Sequence, residues 1–266
     1  MITRVMMVGP GRIYEAACSL SFDQNITPAI DHTIVVSPYS WVTLTTTFKS
    51  FGINVDSFTF MLDVEAIEKF KLHDWQHHWY LQQGIKLSLL DNINSDKFLI
   101  QDCDVFAIKP YKFFNDDVPC FRVEDLWNDY QLVYAERVEK LIGYKRKIPY
   151  SFVTEFMPYT KTDWLACKQH IEDRFAMPWS SAIKSVSDFD DTKWFSEYEM
   201  LGIYKTNTSD NYTYETDTHP ELNTLNDLRN ADWSKISTVK FKARPFKYMV
   251  SDDAQLVKNY FKQLEE

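Results

Sequence analysis

Short apolar runs alternate with amphipathic stretches over the first hundred residues. Arg4-Val5-Met6-Met7-Val8 ends at Gly9-Pro10-Gly11 and predicts a strand that stops in a turn. Residues 33–37 (TIVVS), β-branched and closed by Pro38, predict a second strand. Residues 54–60 predict a third, with Val55, Phe58 and Phe60 as its apolar positions. Between them, 14–22 and 41–51 predict helices, the threonines of the latter lowering its propensity. The strongest helical pattern covers 75–90, where Trp79, Leu81, Ile85, Leu87, Leu89 and Leu90 give an apolar side. Lys97-Phe98-Leu99-Ile100-Gln101 is then a short strand running into Asp102-Cys103-Asp104. This alternation predicts an α/β fold, a mixed but mostly parallel sheet flanked by helices, with ligands at the carboxyl ends of the strands.

The second half is less regular. Residues 130–144 and 161–175 predict amphipathic helices, and 184–194 is polar. Residues 207–218 (NTSDNYTYETDT) lack apolar periodicity and predict a loop, either a lid or a solvated connection. Strands are expected within 237–250 and an exposed terminal helix over 252–264. With no repeat and no Pro- or Gly/Ser-rich linker, a single domain over 1–266 is expected.

Composition narrows the class. At 45% hydrophobic and 16% aromatic residues the 266-residue chain is too apolar for disorder and long enough for a sizeable core. No apolar run approaches the roughly 20 residues of a membrane span, and the apolar start is too short for a signal peptide. Six glycines, clustered only at Gly9 and Gly11, exclude a P-loop and a GxGxxG fingerprint. Cys18, Cys103, Cys120 and Cys167 form no CxxC, which favours reduced thiols and a cytoplasmic protein. The net charge of −9 argues against a dedicated nucleic-acid binder. Phe, Tyr, Ile, Asn and Lys far outnumber Gly, Ala, Arg and Pro, a codon bias of low-GC bacteria or phages.

Asp102 and Asp104 carry the first candidate chemistry. On an extended segment residues i and i+2 project to one side, so both carboxylates could face one hard cation. A solvated turn is the alternative. The neighbouring residues add to this pattern. Trp79-Tyr80-Leu81-Gln82-Gln83-Gly84-Ile85-Lys86-Leu87 followed by Phe98-Leu99-Ile100-Gln101-Asp102-Cys103-Asp104 resembles the core of GT-A-fold glycosyltransferases, in particular a bacterial and phage branch. Pro149-Tyr150-Ser151-Phe152-Val153 and Phe195-Ser196-Glu197-Tyr198-Glu199-Met200-Leu201-Gly202 resemble its later blocks, in the same order. The resemblance spans about residues 70–205. Gln101 and Cys103 depart from the commonest neighbours of the aspartates, and the first 60 residues match only in their strand–helix rhythm.

The resemblance implies a GT-A-like, Rossmann-type fold, with 1–110 the nucleotide-sugar half and 111–266 the acceptor side. It implies transfer from a nucleotide-diphosphate sugar, a UDP-sugar, with Mn2+ or Mg2+ held by Asp102 and Asp104 to stabilise the leaving diphosphate. Gly9, Pro10 and Gly11 would lie at the base and ribose, with Gln82, Gln83 and Lys86 towards the donor. Lys86 could equally be a snorkelling helix lysine, and the glutamines could satisfy backbone groups. Glu197, in preference to Glu199, would face the acceptor as base or orienting group. His219 is either a third metal ligand or a surface residue of a Thr-His-Pro turn.

Two acceptors stay open, a hydroxylated pyrimidine in phage DNA and a hydroxyl of a cell-surface glycan. A non-catalytic binding module of the same fold is the reading from another class. Two basic clusters, Lys140/Lys145/Arg146/Lys147 and Lys240/Lys242/Arg244/Lys247, sit among aromatics and could track phosphates or be ordinary solvated faces. His73 and His77 have zinc-helix spacing, but Asp74 replaces the usual Glu and no third ligand follows. Trp179-Ser180-Ser181 has no nucleophile-elbow context.

Overall fold

The computed structural model describes residues 1–75, 78–125, 129–154, 156–187, 195–216, 221–222, 236, 238–241 and 251–264. The fold is mixed α/β, a mostly parallel sheet with flanking helices, as the alternation predicts. The chain groups into two compact units, each assembled from separate stretches. One contains residues 1, 65–100 and 114–216; the other contains 2–64, 101–113 and 217–266.

In the unit that holds the first strand, Ile2–Met7, His32–Ser37 and Phe58–Leu62 run parallel with His32–Ser37 in the middle. All six residues of Ile2–Met7 are buried, so the strand reads as a nearly continuous apolar run. Its one charge is neutralised in place. The Arg4 guanidinium donates to both Asp23 carboxylate oxygens at 2.6 and 2.7 Å, to Thr33 Oγ1 and to Gln101 Oε1. Met6, Ala17, Leu20, Phe22, Val35, Leu44, Phe48 and Phe106 form the core.

Two expectations shift here and one holds against its propensity. The third strand starts at Phe58, because Asn54 Oδ1 accepts from Asp56 N and Val55 O from Phe58 N, a turn that delays the extended chain. The helix Trp41–Ser50 forms despite its threonines. Ser40 caps it by accepting from Thr43 N, and burial is confined to Leu44 and Phe48. The helix Ser251–Leu264 is not merely exposed: Ala254, Val257 and Phe261, spaced i, i+3, i+7, are buried in the same core as Met6 and Val35.

In the other unit, the strand Val118–Asp125 pairs antiparallel with Tyr150–Ser151 and parallel with Thr213–Thr216. Helices His78–Asn92, Asp129–Ile142, Lys161–Phe175, Trp179–Val186 and Glu197–Thr208 belong to this unit. The first of these starts three residues later than its pattern predicts. Trp75 stays outside it, with its ring so close to Gly84 that a Cβ there would lie 2.8 Å from Trp75 Cε3. The expected polar loop at 207–218 is corrected. Its start completes a helix, and Thr213–Thr216 is a strand held by Arg122–Glu215 at 2.6 Å and by the Tyr150–Tyr214 ring contact. Lys184 sits in the helix Trp179–Val186. The expectations for 188–194, 217–218 and 242–250 fall outside the described residues.

Candidate functional site

The site is built where strands end. After Ile2–Met7 the chain turns through Gly9–Arg12, with Arg12 N donating to Gly9 O. Gly11 has φ +79°, a left-handed conformation that glycine adopts without a Cβ penalty. Its N–H donates to the Tyr39 hydroxyl at 2.6 Å, and Tyr39 lies just past the carboxyl end of His32–Ser37. Pro10 is exposed at the tip of this turn. Arg12 then opens the helix Ile13–Leu20.

The strand Lys97–Asp102 ends at Asp102, and Cys103 and Asp104 form a turn before the strand Val105–Ala107. The two aspartates are therefore not alternate residues of one extended segment, and the same-face argument from spacing does not apply. Gln101 instead determines the local shape. Its Nε2 donates to Val105 O at 3.0 Å and to Ser19 Oγ at 2.9 Å, while Ser19 Oγ donates to Val105 O. The residue that departs from the family pattern thus closes the turn carrying Asp104. Cys103 is buried beside it, and burial pushes its thiol up.

Arg12 Nη1 donates to Asp104 Oδ2 at 2.5 Å, and both side chains are partly exposed. Desolvation works against the charge on Arg12, but the field of Asp104 overrides it and holds the guanidinium above its ordinary value. Among the described residues Asp104 is the only hydrogen-bond partner of that guanidinium, so most of its N–H donors are uncommitted. Glu15, one turn into the helix, is 1% exposed, and its Oε2 has no hydrogen-bond partner among the described residues. Burial raises its pKa to about 7, with Arg12 opposing and Asp104 reinforcing the shift.

These residues do not make a metal centre as arranged. Among the described residues no group of three or more His, Cys, Asp or Glu side chains is placed to hold a metal ion. Asp104 is already engaged by a guanidinium. His219 lies outside the described residues.

The remaining sequence-predicted residues sit in the other unit, in a buried network. Lys86 Nζ donates to Glu197 Oε1 at 2.7 Å and to the Tyr198 hydroxyl at 3.3 Å, and it stands 4.8 Å from the centre of that tyrosine's ring. The Gln83 amide nitrogen, in the orientation the carboxylate requires, donates to the same Oε1 at 2.6 Å. Lys86 and Glu197 side chains are 2% and 0% exposed, so Lys86 does not snorkel. Gln82 is half-buried, with Nε2 3.4 Å from His78 Nδ1. Glu199 is also fully buried. It accepts from Ser151 Oγ and Phe152 N and pairs with Arg146, and burial raises its pKa. Neither glutamate is presented to solvent.

The first basic cluster is largely neutralised: Lys145 pairs with Glu139, Lys147 with Asp210 and Arg146 with Glu199. The second lies outside the described side chains. His73 faces Glu68, and His77 is outside the described residues. All four cysteines are buried and free.

Two crystal structures of the galactosyltransferase LgtC resemble this chain. One, in complex with donor and acceptor sugar analogues, aligns at 12% identity and a TM-score of 0.51; the other, an active-site mutant, aligns at 13% and 0.50. Each alignment covers 97% of this chain and 95% of LgtC. The fold is that of GT-A glycosyltransferases. The apo structure of WbbM, a bifunctional glycosyltransferase, aligns at 9% identity and a TM-score of 0.50, over 90% of this chain and 45% of its own. No protein-family model and no curated protein matches the sequence. At these identities the likeness is one of fold. Within this GT-A fold, Arg12, Glu15 and Tyr39 stand at the candidate site beside Gly11 and Asp104, and sequence reasoning passed over them. The available signal was an arginine directly after a glycine turn at the start of a helix, an arrangement suited to anions.

Proposed function

We propose that the chain transfers a sugar from a nucleotide-diphosphate sugar, a UDP-sugar, to an acceptor hydroxyl. One observation carries this reading. The Gly9–Arg12 turn, Tyr39 and the Asp102–Asp104 turn lie at the ends of strands, and they bring a guanidinium, a tyrosine hydroxyl and carboxylates to one place. Such a set can take a diphosphate and a ribose together. In the reaction the bond from the anomeric carbon to the diphosphate oxygen breaks and its electron pair leaves with the diphosphate. The acceptor oxygen bonds to that carbon and gives its proton to water. Stabilising the charge that develops on the diphosphate is the main demand on the protein.

In this reading Gly9, Pro10 and Gly11 border the base and ribose, and Asp102 faces the ribose. Lys86, Gln83 and Glu197 join two helices within their own unit. The Mn2+ or Mg2+ expected from the sequence is not carried into the reading, because the donor set at Asp104 does not fit it. A glycan hydroxyl is the favoured acceptor, since the described basic cluster faces carboxylates instead of an open surface. The test is incubation with a panel of UDP-sugars, following UDP release and the mass of products on oligosaccharides and on hydroxymethylcytosine DNA. Transfer to an oligosaccharide supports the reading, and sugar found only on DNA replaces the acceptor. No turnover of any nucleotide sugar would leave a binding module.

A further inference from the structure

We propose that Arg12 is the cation that takes the donor diphosphate, with Asp104 as its positioning residue, so that transfer needs no divalent metal. This rests on the donor reading above and deepens it. A carboxylate at this turn can hold a cation for phosphate to bind, and here that cation belongs to the chain. Arg12 Nη1 meets Asp104 Oδ2 at 2.5 Å, an ion pair with both partners partly exposed. The pair uses one edge of the guanidinium. Among the described residues the rest of that fork has no partner, and a planar fork matches two phosphate oxygens at once.

The surroundings favour an anion at the same place. Arg12 immediately precedes the helix Ile13–Leu20, whose first N–H groups and dipole point positive potential at that end. Gly11 N–H, fixed by the Tyr39 hydroxyl, keeps the turn in one shape. Lys86 is unavailable for this task, being buried against Glu197. The position of Asp104 is itself fixed, because Gln101 and Ser19 close its turn onto Val105. Asp104 therefore orients Arg12, and it need not touch the donor.

Calorimetric titration of the full chain with UDP, in EDTA and then with Mn2+, tests the assignment. The wild type is expected to bind UDP in EDTA, with an affinity that Mn2+ changes less than about twofold. Arg12→Ala should weaken binding about tenfold or more, the scale of a lost charge-assisted contact. Arg12→Lys should fall between, keeping the charge without the fork. Asp104→Asn should stay within a few-fold of wild type, whereas a metal-holding aspartate would lose binding outright. Circular dichroism of each variant establishes that it is folded. Binding of UDP only with Mn2+, with Arg12→Ala equal to wild type, overturns the assignment and leaves the donor reading intact. Absence of UDP binding by the wild type, with and without Mn2+, overturns both.

Discussion

Lys86 and Glu197 stand 111 positions apart and meet with their side chains excluded from water. Removing one partner strands a buried charge, which costs about 3–5 kcal/mol, whereas replacing both with apolar side chains costs far less. Lys86→Met should therefore lower unfolding free energy by about that amount in urea titration, and Lys86→Met with Glu197→Leu should recover much of the loss. Glu15 makes a different prediction. Its folded pKa is raised from 4.5 to about 7, so between those values the unfolded chain releases a proton that the folded chain keeps. Stability should fall as pH rises across that window, by about 3 kcal/mol, and level off above it. Glu15→Gln should flatten the slope in urea titrations from pH 4.5 to 8. Neither residue's setting is legible from local pattern. Glu15 is the one charge in an otherwise apolar helix, and the partner of Lys86 is defined only by tertiary packing. The placement of Asp102 and Asp104 at the end of a strand was legible, but the turn between them was only the alternative to an extended pair, and the engagement of Asp104 with Arg12, 92 residues away, was not legible.

At the scale of elements, glycines mark where helices come too close for a side chain. Gly202, inside Glu197–Thr208, faces the Phe152 ring, and a Cβ there would fall within that ring's atoms. Alanine gains about 1 kcal/mol of helix propensity over glycine, yet overpacking costs about 1–3. Gly202→Ala should thus lower the melting temperature in calorimetry, and Phe152→Leu in the same chain should restore part of it. The strands Ile2–Met7 and His32–Ser37 and the helix Ile13–Leu20 were readable as short, almost wholly buried apolar runs, and Lys161–Phe175 because its buried Trp164, Cys167 and Ile171 follow a period near 3.6. Thr213–Thr216 was not, since all four residues are exposed and the strand is held by edge pairing to Val118–Asp125. The helix Ser251–Leu264 was found at almost its observed bounds, while its buried stripe was overlooked because the exposed Leu256 and the polar Gln255, Lys258 and Asn259 lie among Ala254, Val257 and Phe261.

On the scale of the whole molecule, both units are woven from distant stretches, and the boundary falls inside the strand Lys97–Asp102. The α/β class follows from alternation alone, but such interleaving leaves no mark on composition. It explains why no linker is found: the chain passes between units within elements and short loops. A chain ending at residue 250 lacks Ala254, Val257 and Phe261 from the core that also holds Met6, Val35 and Phe106. It should bind the dye ANS strongly and lose its cooperative thermal transition, whereas the full chain should do neither. The same interleaving orders events during synthesis. Residues that line the Arg12 turn leave the ribosome well before the segment 254–261, and the core they share with it stays open until that segment has emerged. Folding of that unit is thus largely postponed until that segment has been made. Until then the nascent chain carries an exposed apolar surface that a chaperone would recognise.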